Sequence, residues 1–241
     1  MAEYDYARSV GAGAQSAAAI DEGLRAHMSK TYGLMSIAML ITGAVAYVVG
    51  NNDAMRAAID GTPLGWVVMF APLVVVFAFG AMINRLSAGA AQLVFWAFSA
   101  LMGLSISYIF AVYTSMSIAQ TFLVTAIAFA GLSLWGYTTK KDISGWGSFL
   151  IMGVIGLIVA SIINIFLGSP AIQFAVSVLG VLIFAGLTAY DTQRIKNDYL
   201  QMSVHGEAEW LAKSAIMGAL SLYLNFLNMF MFLLQFMGGR E

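Results

Sequence analysis

Asp191 is the residue of this sequence whose type and position point most directly to chemistry. It follows a long apolar stretch, Ala171 to Tyr190, that contains no charged side chain. A carboxylate at or near membrane depth is costly and by default marks a functional site. Counting from Pro170 at about 1.5 Å per residue puts it roughly 31 Å along a helix, near that helix's polar edge. There Arg194, one turn later, can pair with it. A second polar set lies near the C-terminus, where Ser214, Gly218, Ser221, Asn225, Asn228 and Gln235 recur at steps of three, four or seven. On a helix they form one stripe of a rod otherwise built from Leu, Met and Phe. Three carboxamides facing lipid would be costly, so this helix belongs inside a bundle, its stripe against other helices or a wet cavity.

Other constellations are missing. The chain has no G-x-x-x-x-G-K-[ST] loop, no H-E-x-x-H, no G-x-S-x-G and no G-x-G-x-x-G after a strand. It has no cysteine and only two histidines, His27 and His205. Both fall in expected cytosolic segments, where a lone histidine is read as solvated, and a metal site needs about three or four ligands at fixed spacing. Asp191 has no second membrane aspartate of the kind an intramembrane protease requires. The reading is of a protein that is not an enzyme and holds no resident cofactor.

The elements that must position Asp191 and the amide stripe follow from composition. Of 241 residues, 61% are hydrophobic and 10% charged, against roughly 25% charged in soluble domains, so the surface must face lipid. A helix of about 20 apolar residues crosses the hydrocarbon core. Seven runs meet that length: Thr31 to Gly50, Pro63 to Asn84, Ala90 to Tyr113, Ile118 to Tyr137, Gly145 to Leu167, Ala171 to Tyr190 and Ser214 to Met237. Thr62-Pro63 and Ser169-Pro170 read as a cap plus first helical residue. Pro72 falls inside the second run, where a kink is expected. The class is therefore all-α, a polytopic membrane protein with residues 31–238 as a seven-helix domain. Residues 1–30 are expected to be a cytosolic tail, mobile to about Ala19, ending in a short interfacial helix with Leu24, Met28 and Tyr32.

Lys and Arg set the orientation, because cytoplasmic loops carry the excess. With the N-terminus inside, Arg8, Arg25, Lys30, Arg85, Lys140, Lys141, Arg194, Lys196 and Lys213 are cytosolic, nine of the eleven, and Arg56 and Arg240 are outside. The basic residues are scattered and the net charge is -1, which argues against nucleic acid as a partner. The lipid bilayer is the partner the composition demands, around a bundle made by one chain. Small residues spaced by four, Ser99, Gly103, Ser107 and Ala111 in the third run and Gly156, Ala160 and Asn164 in the fifth, mark expected close helix contacts.

The segments LRAHMSKTYGLM (24–35), GLSLWGYTTKKDISGWGSFL (131–150), GLTAYDTQRIK (186–196) and ALSLYLNFLNMFMFLLQFMG (219–238) resemble the Bax inhibitor/YccA-like family of transmembrane Bax-inhibitor-motif proteins. The resemblance covers nearly the whole chain beyond the tail. It implies a seven-helix bundle with the last helix central, enclosed by the other six. Several members of that family are described as calcium leak channels gated by pH through two aspartates on the sixth and seventh helices. Asp191 matches the first. The second falls, by the match of LYLNFLN to an LYLDF-like pattern, on Asn225, where this sequence departs from the family.

An aspartate facing an asparagine has no like-charge repulsion, so a proton-sensitive gate built on a carboxylate pair is weakened here. The resemblance implies a cation leak along the last helix with calcium as the permeant ion. In it Asp191 is a weak calcium site or gate, Asn225 and Asn228 are neutral ligands, and Arg85, near the end of the second helix, is a latch. Carboxylate and amide oxygens suit a hard cation. The competing reading is a non-conducting interaction protein of a bacterial inner membrane. In that reading a membrane-bound AAA protease grips the N-terminal tail, as in some bacterial relatives.

Overall fold

The computed structural model describes residues 2–59, 61–202 and 208–239, with side chains from residue 19 onward. Among them the chain forms α1 (Ala2–Gly50), α2 (Asp53–Ile59), α3 (Pro63–Met82), α4 (Ala88–Ile106), α5 (Ile109–Val112), α6 (Ser115–Thr138), α7 (Trp146–Leu167), α8 (Pro170–Met202) and α9 (Ala208–Met237). Seven stretches are long and apolar enough to cross a membrane: Ala19–Gly50 of α1, α3, Ala88–Val112 through α4 and α5, α6, α7, α8 and α9. They correspond one to one with the seven runs expected from hydropathy.

Local chemistry sets their ends. Ser87 and Thr114 cap α4 and α6 by accepting the N–H of Ala90 and Ser117. Pro63 occupies the first turn of α3 and Pro170 begins α8. At the end of α7, Gly168 takes the left-handed conformation, φ 59°, that a side chain would resist. Pro72 sits buried within α3, which continues through it without interruption. Among the described residues the third span is interrupted, between α4 and α5 at Ser107 and Tyr108.

Two expectations about the periphery change. No break separates the segment before Thr31 from the first span, because α1 is one helix from Ala2 to Gly50. Leu24 and Met28, expected at an interface, are buried members of the core. The α7 stripe also differs, since a Cβ on Gly156 would meet open space while one on Gly153 would meet Ile183 of α8. In α4 the small-residue stripe does permit close approach. Gly103 lies against the Thr42 carbonyl and Val45 of α1, and a Cβ on Gly50 would meet the Ser107 carbonyl.

Burial is uneven. Only 11% of the α7 window and 17% of the α3 window is buried, against 61% for α9. Helix α9 packs principally against α1, α4, α6 and α8 rather than against all six other spans. It runs the length of the bundle. Near its end the Thr114 N–H donates to the Gly239 carbonyl at 3.1 Å, and the Gly239 N–H donates to Ser117 at 2.9 Å. That end also holds Gly50 and Ser107, while the opposite end gathers His27, Tyr137, Lys141 and Tyr199.

Candidate functional site

Helices α8 and α9 meet along most of their length, and their polar residues meet at two places: Ser177 Oγ donates to Gln235 Oε1 at 3.4 Å, and Asp191 meets Asn225. Asp191 is 6% exposed and Asn225 4% exposed. The Asn225 amide Nδ2 donates to Asp191 Oδ2 at 2.7 Å. On the other carboxylate oxygen, Arg194 Nη2 approaches Asp191 Oδ1 to 2.9 Å, and the same nitrogen donates to Ser221 Oγ at 3.3 Å. Arg194 stands one turn beyond Asp191 on α8, with 44% of its side chain exposed, so its charge is shared with solvent while the carboxylate is enclosed. Its guanidinium also lies over the Tyr190 ring at 5.7 Å. Both carboxylate oxygens thus have charge-assisted or amide partners, which is what makes burial of the charge tolerable.

Asn228 and Arg85 are placed elsewhere. Asn228 Nδ2 donates to the Leu224 carbonyl of its own helix at 2.8 Å. Arg85 is exposed on the turn after α3, and α3 packs on α4 rather than on α8. The latch position on Asp191 is filled by Arg194. Calcium takes about six to eight oxygen ligands, and among the described residues no three His, Asp or Glu side chains cluster as a metal cradle. In this conformation the carboxylate is committed to protein partners.

Around the pair lie residues that spacing alone did not single out. Gln193 binds the α6–α7 loop with both ends of its amide: Oε1 accepts the Ile143 N–H at 2.9 Å and Nε2 donates to the Lys141 carbonyl at 2.8 Å. Lys196 Nζ donates to the Tyr137 carbonyl at 2.8 Å at the end of α6 and sits over the Tyr137 ring. In the same loop, the Ser144 N–H donates to Asp142 and holds that carboxyl below the usual carboxylate range. A hydroxyl chain runs Tyr32–Ser133–Thr192, with steps of 3.0 and 2.9 Å, and ends beside Asp191. His27, expected to be solvated, is 6% exposed, with its ring 5.0 Å from that of Tyr199 and no hydrogen-bond partner for Nε2. His205, Arg240 and the side chain of Arg8 lie outside the described residues.

Residues 24–241 match the family described as inhibitor of apoptosis-promoting Bax1. The chain belongs to the Bax inhibitor/YccA family. A protein of Caulobacter vibrioides is 48% identical, covering 98% of this chain and 97% of its own length. The inner membrane protein YbhL of Escherichia coli K12 is 44% identical, covering 91% and 94%, and RP147 of Rickettsia prowazekii is 41% identical, covering 92% of each. With its seven apolar spans, this Bax inhibitor family member is an integral protein of a bacterial inner membrane.

Proposed function

We propose that the protein is a cation leak pathway, with calcium as a permeant ion, closed in the conformation described above. In this reading the N-terminus is cytosolic, the side that the Lys/Arg excess favours. The observation that carries the reading is the buried 2.7 Å contact between the Asn225 amide and Asp191. It joins the most buried span to its principal neighbour through a carboxylate, the group a hard cation seeks. Separation of α9 from α8 at this point would free Asp191 Oδ2 and the Asn225 amide for a passing ion. Arg194 would remain as the exposed counter-charge. One carboxylate makes a weak site, which suits passage rather than storage.

The test is calcium entry into liposomes containing the purified full chain, with an entrapped indicator, across a pH series. The expected result is a leak above protein-free vesicles that varies little with pH around neutrality, since Asp191 has no second carboxylate beside it. Deleting residues 1–19 should leave that leak intact. Absence of flux from the intact chain, together with a deletion that alters only turnover by a membrane-bound AAA protease, would establish the interaction reading instead.

A further inference from the structure

A cleft of about 600 Å³ opens between α1 and α6 at the Lys/Arg-rich end of the bundle, bridged at its inner limit by the Tyr32–Ser133 hydrogen bond. The two helices run antiparallel there, so Arg25 and Tyr137 share its outer rim while Tyr32, Ser133 and Phe129 lie deeper. At about 1.5 Å per residue, Arg25 to Tyr32 spans about 10 Å, a depth within one leaflet. The floor is apolar, with Met28 and Phe129 buried, and Ala130 and Leu134 exposed on its outer wall. Both helices are membrane spans, so the fluid that meets this wall is lipid.

Charge selects the lipid. Arg25 lines the rim. Lys196, not itself part of the lining, stands over the ring of the rim residue Tyr137 at 5.2 Å, its Nζ donating to the Tyr137 carbonyl at 2.8 Å, with no carboxylate pairing it among the described residues. Arg25 is shared with Asp21 at 3.0 Å, but that pair is solvent-exposed on both sides, and exposed pairs are weak and exchangeable. Basic pockets between membrane helices recognise anionic headgroups in this way.

We infer that this cleft is a binding site for an anionic phospholipid, one acyl chain lying along Met28, Phe129 and Leu134 and the headgroup phosphate held by Arg25 and Lys196. The site stands apart from the leak reading and does not require it. The Tyr32 and Ser133 hydroxyls inside it continue to Thr192, so an occupant touches the residue next to Asp191 through two hydrogen bonds.

The experiment is native mass spectrometry of the delipidated full chain with added dioleoylphosphatidylglycerol or dioleoylphosphatidylcholine. The glycerol lipid should be retained roughly tenfold better, the size expected for one or two basic residues near a headgroup. Arg25→Gln with Lys196→Gln should bring it down to the level of the choline lipid, and Arg25→Gln alone should give part of that loss without disturbing the Lys196 contact to α6. Ala130→Trp should fill the cleft and reduce retention of both lipids, while Arg85→Gln, basic but remote, should change nothing. Equal retention of the two lipids by the natural chain would overturn the proposal, as would an Arg85→Gln loss matching that of Arg25→Gln. Displacement of the bound lipid by millimolar inorganic phosphate would also overturn it, since the acyl chain would then contribute nothing.

Discussion

At Tyr223, α9 is tied to α1 and α4; two residues on, at Asn225, it is tied to α8. The first tie is neutral. Thr42 and Tyr223 hydroxyls meet at 2.7 Å, Thr42 Oγ1 also lies 2.8 Å from the Ser99 carbonyl, and the Tyr223 ring packs edge-on against Phe95 and Phe98 with no exposed surface. The second tie is charged, and it reaches solvent through Arg194. Residues two apart on a helix are about 200° apart around its axis, so α9 is held from opposite faces. The difference separates a joint that sets how firmly the helix sits from one whose strength an ion or proton can change.

Removing the charge should have the largest effect. Asp191→Asn leaves a near-isosteric group beside Asn225, yet a unit charge at about 4 Å is worth about 4 kcal/mol at an effective dielectric constant of about 20. Cation flux in liposomes should therefore fall by more than about tenfold at every pH, while the bundle stays folded. Unchanged flux would place the ion pathway away from this joint.

Asn225→Asp comes next. Two carboxyls at hydrogen-bond distance share a proton and titrate as a coupled pair, their interaction exceeding about one pK unit. The leak should change from nearly flat to steeply pH-dependent near neutrality in the same vesicles. A natural protein that already shows a sharp transition, unaltered by Asp191→Asn, would put the proton sensor elsewhere.

The neutral joint should respond in stability alone. Tyr223→Phe should lower the detergent unfolding midpoint by a shift worth about 0.6 kcal/mol, the average for hydrogen bonds between membrane helices, with flux preserved. A lost leak in this variant would erase the distinction between the joints. The smallest effects belong to Asn228→Ala and Arg85→Gln, which should change neither flux nor stability beyond about 0.5 kcal/mol, because neither side chain touches Asp191.

Hydropathy was sufficient to place the spans because lipid imposes one length on all of them. The Asp191–Asn225 meeting was legible through the family resemblance, which matches these two positions to its aspartate pair; the amide stripe and the carboxylate by themselves required only that each find some partner. What stayed hidden depends on contacts between distant segments. The Ser107–Tyr108 interruption lies where Gly50 at the end of α1 comes against the Ser107 carbonyl and Phe110, and neither of its two residues is proline or glycine. His27 is enclosed because α8 continues past Asp191 to Met202 and brings Tyr199 against α1; the polar residues after Asp191 gave that extension the look of a loop. Arg194, one turn from Asp191, is legible as its partner from spacing alone; that Arg85 takes no part is not, because α3 lies apart from α8, a matter of packing order that charge position does not encode.

The amide of Gln193 carries the same donor and acceptor pair as a peptide unit, and it meets the backbone of residues 141 and 143 as a neighbouring strand would. It therefore recognises the path of the loop and not the side chains along it. Lys141 can drift to many other residue types without loosening these two hydrogen bonds, whereas Ile143 is itself only 3% exposed and proline there would also remove the hydrogen that Gln193 accepts. For anyone randomising this protein, the loop is strict in shape, with Asp142 and the buried Ile143 fixed by their own contacts, and an inserted tag there should break the Gln193 hydrogen bonds two residues from Asp191.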